Sequence, residues 1–187
     1  MKQIDAIVTT CIEKGYVTPE KAPWLCYALE KRITSLLTFI PLCIIGLLLT
    51  NPATFLSFYF TFYLLRSLTN GWHAKTFLSC LVSSIMGEFV FLGVLSKLRH
   101  TAVIYIFVSI SVLLLWMLSP YNHPNMRLAE DEIAACKYSV RKRLVLLALI
   151  LIALEVLHME HCTIGIQIGI IMVAFTLLLA YIENIKR

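Results

Sequence analysis

His73 and Cys80 stand seven residues apart in Asn70-Gly71-Trp72-His73-Ala74-Lys75-Thr76-Phe77-Leu78-Ser79-Cys80. Here a polar turn runs into an apolar segment. A thiol becomes a nucleophile as its thiolate, and a nearby imidazole can take its proton at neutral pH. The chemistry these types predict is acyl transfer. Cys80 would attack a peptide carbonyl, and His73 would take the thiol proton and hand it to the leaving amine. On a straight helix seven residues span roughly 10.5 Å, too far for a direct hydrogen bond. The spacing therefore predicts a loop or broken turn over Gly71–Lys75 that folds His73 back over Cys80, with Gly71 supplying unusual backbone angles. The competing reading is an interfacial histidine beside an incidental cysteine, because a lone His…Cys pair is a weak motif.

Other polar residues gather round this pair. Ser84 lies four residues after Cys80 and shares its helix face. It could orient His73 or bind an oxyanion, or act as a small polar packing residue. Glu88 lies deeper in the same apolar run. A carboxyl there must face a partner or a wet cavity, and a protonated, hydrogen-bonded state within the bundle is the expectation. Glu155, His158, His161 and Cys162 cluster further on, but a di-iron bundle needs two Glu-x-x-His copies and more carboxylates. A polar turn is expected there, and neither a metal nor a cofactor. Glu130-Asp131-Glu132 suit a helix N-terminus. Arg141-Lys142-Arg143, with Arg66 and Lys75, could hold an acidic peptide tail or anchor to anionic lipid heads.

The elements that must position these residues are apolar. The chain has 187 residues, 14% of them charged, and a mean hydropathy of +0.83. An average soluble domain carries roughly 25% charged residues. Six hydrophobic segments run over approximately 33–49, 53–65, 77–95, 101–118, 144–157 and 163–182. A span needs about 20 apolar residues, so the second and fifth are short, and Asn51-Pro52 allows a re-entrant hairpin instead of two crossings. Ile4, Ile7, Val8, Cys11 and Ile12 form one face of an amphipathic helix over 3–14, suited to the membrane interface or the ends of a bundle, with Gly15 as its stop. Thr18-Pro19-Glu20 predicts the start of a second helix, which runs through Trp24 and Tyr27 toward Lys31-Arg32. The expected fold is all-α: one polytopic membrane bundle over 1–187 with four to six spans, and an interfacial region over 1–32. No removable signal peptide is legible, since Asp5 and Glu13 interrupt the first fifteen residues. The six cysteines have no regular spacing, and no structural disulfide is expected.

Charge sets the side. With the N-terminus inside, fourteen of the sixteen Lys and Arg residues fall on the inner face, and only Lys97 and Arg99 fall outside. The positive-inside rule then places both termini and the turn bearing His73 in the cytoplasm of a multi-pass cell-membrane protein. It fixes the side and leaves the number of crossings open.

At Gly71-Trp72-His73-Ala74 followed by Cys80, the sequence resembles the accessory gene regulator B (AgrB) family, in its clostridial type. These are membrane cysteine endopeptidases of Gram-positive quorum sensing. The resemblance covers nearly the whole chain, from the amphipathic start to a Pro/Asn-rich and then basic loop. Members often show Gly-Gly before the aromatic residue, where this chain has Asn70-Gly71. They often read Pro-Asn-Lys in the loop, where it has Pro124-Asn125-Met126. The resemblance implies that His73 and Cys80 are catalytic, and that an AgrD-like propeptide is the substrate. Removal of its acidic tail would leave an acyl thioester on Cys80, and an internal thiol or hydroxyl would close a thiolactone or lactone. It also implies a homodimer among membrane lipids, with no nucleic-acid partner. Rival readings are a small membrane transporter or a non-enzymatic membrane interaction protein.

Overall fold

The computed structural model describes residues 2–18, 20, 22–69, 71–72, 77–98, 101–122 and 129–185. The described residues are helical, with no strand among them: α1 Lys2–Glu13, α2 Ala22–Leu49, α3 Pro52–Thr69, α4 Phe77–Glu88, α5 Ala102–Leu118, α6 Glu130–Val156 and α7 Glu160–Ile185. Two compact units divide at Ile44 and Ile45, inside α2.

The first unit holds α1 and most of α2. Its opening helix stops where expected. Gly15 has φ +70°, the Gly15 N–H donates to the Ile12 carbonyl at 2.9 Å, and the Tyr16 N–H donates to the Cys11 carbonyl at 2.9 Å. Those two bonds make a Schellman cap, in which glycine takes the left-handed position without a Cβ clash. The second predicted helix and the first apolar segment prove to be one helix of 28 residues, with Pro41 inside it. No chain breaker separates Lys31-Arg32 from Ile33, so nothing stops the helix there. The expected start at Thr18-Pro19-Glu20 falls partly outside the described residues.

The second unit carries the site. Its first helix is started by Asn51-Pro52. Asn51 Oδ1 accepts from the Ala53 N–H at 2.9 Å, and the Phe55 N–H donates to the Asn51 carbonyl at 3.0 Å. Asparagine is the N-cap and proline the first helical residue, where its missing N–H costs nothing. The short fifth apolar segment becomes the C-terminal half of a 27-residue helix, because α6 begins at Glu130. Glu132 Oε2 reaches back to the Ala129 N–H at 2.9 Å, and three acidic residues occupy the first turn. Both features offset the positive end of the helix.

Packing centres on α7, which shares the core with α3, α5 and α6 through Leu65, Leu115, Val140, Leu144, Val173 and Leu177. Among the described residues two apolar stretches are long enough to cross a membrane, Glu160–Ile185 and Leu78–Leu98, 72% and 17% buried respectively. The first is the central helix. The second turns most of its apolar surface outward. Leu78–Leu98 is also irregular. It is α-helical to Glu88, π-helical over Phe89–Val94 and 3-10 over Leu95–Leu98.

The α3–α7 contact depends on Gly165 and Gly169. A Cβ on Gly165 would meet the Thr54 carbonyl oxygen, and would stand 2.9 Å from Ser57 Cβ. One on Gly169 would stand 2.9 Å from Thr61 Cβ and 3.1 Å from the Phe58 carbonyl oxygen. Two glycines four apart let the backbones close on each other, the usual device where helices pack in lipid. Rising numbers on α7 meet rising numbers on α3, so the two helices run parallel.

Candidate functional site

Cys80 is the fourth residue of α4 and is half-buried. Its carbonyl accepts from Ser83 Oγ at 3.1 Å, and the same hydroxyl donates to the Ser79 carbonyl at 2.7 Å. Ser84 lies one turn further on and is half-buried. Ser83, rather than Ser84, is thus the serine bonded to the Cys80 backbone. A serine that bonds back to its own helix is invisible to spacing arguments.

The predicted break before α4 begins as expected. Gly71 and Trp72 are not helical. His73 and Lys75 lie outside the described residues. What holds the two residues before His73 is well defined. The Trp72 N–H donates to the Thr176 carbonyl on α7 at 2.9 Å. Arg66 Nη2, in the last turn of α3, donates to the Trp72 carbonyl at 2.7 Å. The dipeptide is therefore pinned from both sides, once by backbone and once by a charge-assisted bond.

Gly71 has a different duty from the one expected. It is not among the positive-φ residues. Its lack of a side chain matters for space. A Cβ would stand 2.9 Å from Arg66 Nη1 and 3.0 Å from the Thr176 carbonyl. Arg66, Gly71, Trp72 and Thr176 thus belong to one neighbourhood. Thr176 enters through its carbonyl, for which no residue type in the sequence gives a signal.

The same end of the bundle collects other long-range bonds. The Tyr121 N–H donates to the Thr69 carbonyl at 3.0 Å, and Tyr181 OH donates to the Leu118 carbonyl at 2.8 Å. Arg143 Nη1 bonds the Leu64 carbonyl and Ser67 Oγ. Arg141 lies over the Trp116 ring, 5.0 Å from its centroid. Lys142 is exposed. The three neighbouring basic residues are thus used differently.

Glu88 is 3% exposed, and its Oε2 has no hydrogen-bond partner among the described residues. Its burial is as expected; the hydrogen bonding expected with it is missing at that oxygen. Within residues 155–162 only 157–159 lie outside the helices, as the tight turn from α6 to α7. His158 has φ +54°, the Met159 N–H donates to the Leu154 carbonyl at 2.9 Å, and the His158 N–H donates to the Glu155 carbonyl at 3.1 Å. A Schellman cap with histidine in the glycine position ends α6 there. Glu155 Oε1 accepts from Tyr105 OH at 2.9 Å.

Fold and site define an all-helical protein of membrane class, with Cys80 half-buried in the first turn of α4 and the preceding Gly71–Trp72 step fastened to α3 and α7. The chain belongs to the accessory gene regulator B family, whose description matches residues 4–177. Membership gives it a role in agr quorum-sensing peptide processing, with an AgrD-like propeptide as substrate. No curated protein and no solved structure matches the chain.

Proposed function

We propose that this protein is a membrane cysteine endopeptidase that cuts the C-terminal tail from an AgrD-like propeptide and passes the remainder on to cyclisation. The observation that carries the reading is the pinned Gly71–Trp72 step, which leads in sequence into His73 and then into α4, whose fourth residue is Cys80. The Cys80 thiolate forms a C–S bond to the scissile carbonyl. The C–N bond then breaks, and the tail amine leaves with the proton His73 took from the thiol. A thiol or hydroxyl within the peptide attacks the thioester, forms the ring and releases Cys80. Poor access of water at the interface spares the thioester until that attack.

The catalytic end faces the cytoplasm in this reading, as do both termini of a multi-pass chain, and α1 lies in the interface. Lys142 and Lys75 supply a positive field for the acidic tail, while Arg141 and Arg143, expected from sequence to join them, are engaged with the Trp116 ring and with Leu64 and Ser67. Arg66, likewise expected, is engaged with Trp72. The enzyme works as a homodimer among membrane lipids. One observation favours a transporter instead, the buried carboxyl of Glu88. Function retained by Cys80→Ser would speak for that alternative.

Co-expression with a tagged propeptide tests the proposal. Cys80→Ala and His73→Ala should each abolish cleavage while the protein still inserts. Normal processing by inserted Cys80→Ala would overturn it.

A further inference from the structure

Leu78–Leu98 turns most of its surface outward, and only Glu88, Phe91 and Leu92 along it are buried. We propose that Glu88 is a proton-binding switch: its neutral carboxyl seats this stretch in the second unit, and ionisation unseats it. The proposal goes beyond the peptidase reading and does not depend on it.

Glu88 is the only Asp, Glu, Lys or Arg between Phe77 and Ser96. It turns inward, while Met86, Phe89 and Val90 around it stay exposed. A Cβ on Gly46, in the part of α2 that belongs to the second unit, would stand 2.7 Å from Glu88 Oε1 and would also meet the Phe55 ring of α3. The carboxyl therefore lies against bare helix backbone, where a side chain at position 46 would take its place. One residue earlier, a Cβ on Gly87 would stand 3.2 Å from Met172 Cε of α7. Glu88 Oε2 has no hydrogen-bond partner among the described residues.

The elements around this carboxyl bring no charge to offset an ionised form. Residues 45–49 of α2 hold no ionisable side chain. From α3 comes Phe55, with the phenol ring of Tyr59 6.0 Å further on between centroids. From α7 come Met172 and Phe175, and no ionisable residue lies between Cys162 and Tyr181. Along its own stretch the nearest ionisable side chains are Cys80 and Lys97, eight and nine residues away. A carboxylate in this place loses its water and gains no donor at Oε2, a loss that the neutral acid largely escapes.

The chain changes character at this residue. It is α-helical to Glu88 and π-helical over Phe89–Val94, a geometry uncommon in itself and frequent at functional sites. Phe91 packs on Phe175 with ring centroids 5.4 Å apart, and Leu92 is fully buried. Loss of the proton removes one of three inward anchors, at the junction of the α and π segments. The helix released is the one that carries Cys80.

The test uses the full chain in detergent or nanodiscs, without propeptide. Glu88→Gln keeps the shape of the neutral acid and cannot ionise. Relative to that variant, the thermal midpoint of the unsubstituted protein should fall on the order of 5 °C as pH rises from about 5 to about 8. The sign is opposite to that of an ion-paired carboxylate, whose stabilisation grows as pH rises. Over the same range, amide exchange across residues 78–98, corrected for the intrinsic effect of pH, should quicken on the order of tenfold, while exchange across 144–156 holds steady. Matching pH profiles in the two proteins would overturn the switch. So would a midpoint lowered equally at both pH values by Glu88→Gln, which would mean that a carboxylate is what the fold needs. Exchange across 78–98 unmoved by pH would show that the proton does not seat the stretch. Exchange is read on the unsubstituted chain, so it decides the matter even where Glu88→Gln fails to insert. Neither readout uses propeptide or the Cys80 thiol, and the Cys80→Ala result bears on the peptidase reading alone.

Discussion

Arg143 and Lys142 are neighbours in sequence and differ in use. Arg143 spends its guanidinium on the Leu64 carbonyl and Ser67, while Lys142 is exposed. Charge reversal should separate the two. Lys142→Glu should slow processing of an acidic-tailed propeptide, and a basic-tailed one should restore much of the rate. Arg143→Gln should lower stability by about 1.5–3 kcal/mol, the usual worth of a bond to a charged group, and no tail should rescue it. Vesicles of neutral lipid remove anchoring to anionic headgroups from the comparison. Equal rescue of Lys142→Glu and Arg143→Glu by the basic tail would refute this division. The sequence displays a cluster of three cations; which of them have carbonyl or aromatic partners depends on helices far away along the chain.

At the scale of elements, the α3–α7 seam bears the load that keeps Arg66 and Thr176 opposite Trp72. Gly165→Ala would push a methyl into the Thr54 carbonyl and Ser57. Overpacking of this kind costs about 1–3 kcal/mol. Gly93→Ala is the contrast, since its nearest atom beyond its neighbours would be Leu49 Cδ2 at 3.8 Å, an ordinary contact. Thermal unfolding in detergent should show a lower midpoint for Gly165→Ala and little change for Gly93→Ala. The reverse order would mean that the seam is misplaced. Helix type and rough extent were legible from the apolar runs, from Gly15 and from Asn51-Pro52, because caps and breakers act locally. The merger of 22–49 into one helix and the long polar start of α6 were less so. Both follow from the absence of a breaker, which is a weaker signal than the presence of one. The π-helical turn at Phe89–Val94 has no local signature at all.

At the scale of the whole molecule, parallel α3 and α7 bring Arg66, Trp72 and Thr176 to one end, with Arg141 and Arg143 of α6 nearby. The opposite end carries the Tyr105–Glu155 bond. The basic end should be cytoplasmic by the positive-inside rule. A cysteine placed at Lys137, in a chain lacking other reactive cysteines, should resist an impermeant reagent added to intact cells. One placed at Lys97 should react. Labelling at Lys137 alone would invert the molecule.

The sequence by itself determined the membrane class, the helical fold, the family and the residues to suspect as base and nucleophile. All of these rest on local quantities: hydropathy, spacing, and a short motif. The tertiary structure decided what Arg66, Gly71 and Thr176 are for. A carbonyl on α7 holds the Trp72 N–H, a guanidinium on α3 holds the Trp72 carbonyl, and a missing Cβ leaves them room. No spacing rule reaches from residue 71 to residue 176, because that contact exists only once α3 and α7 have packed.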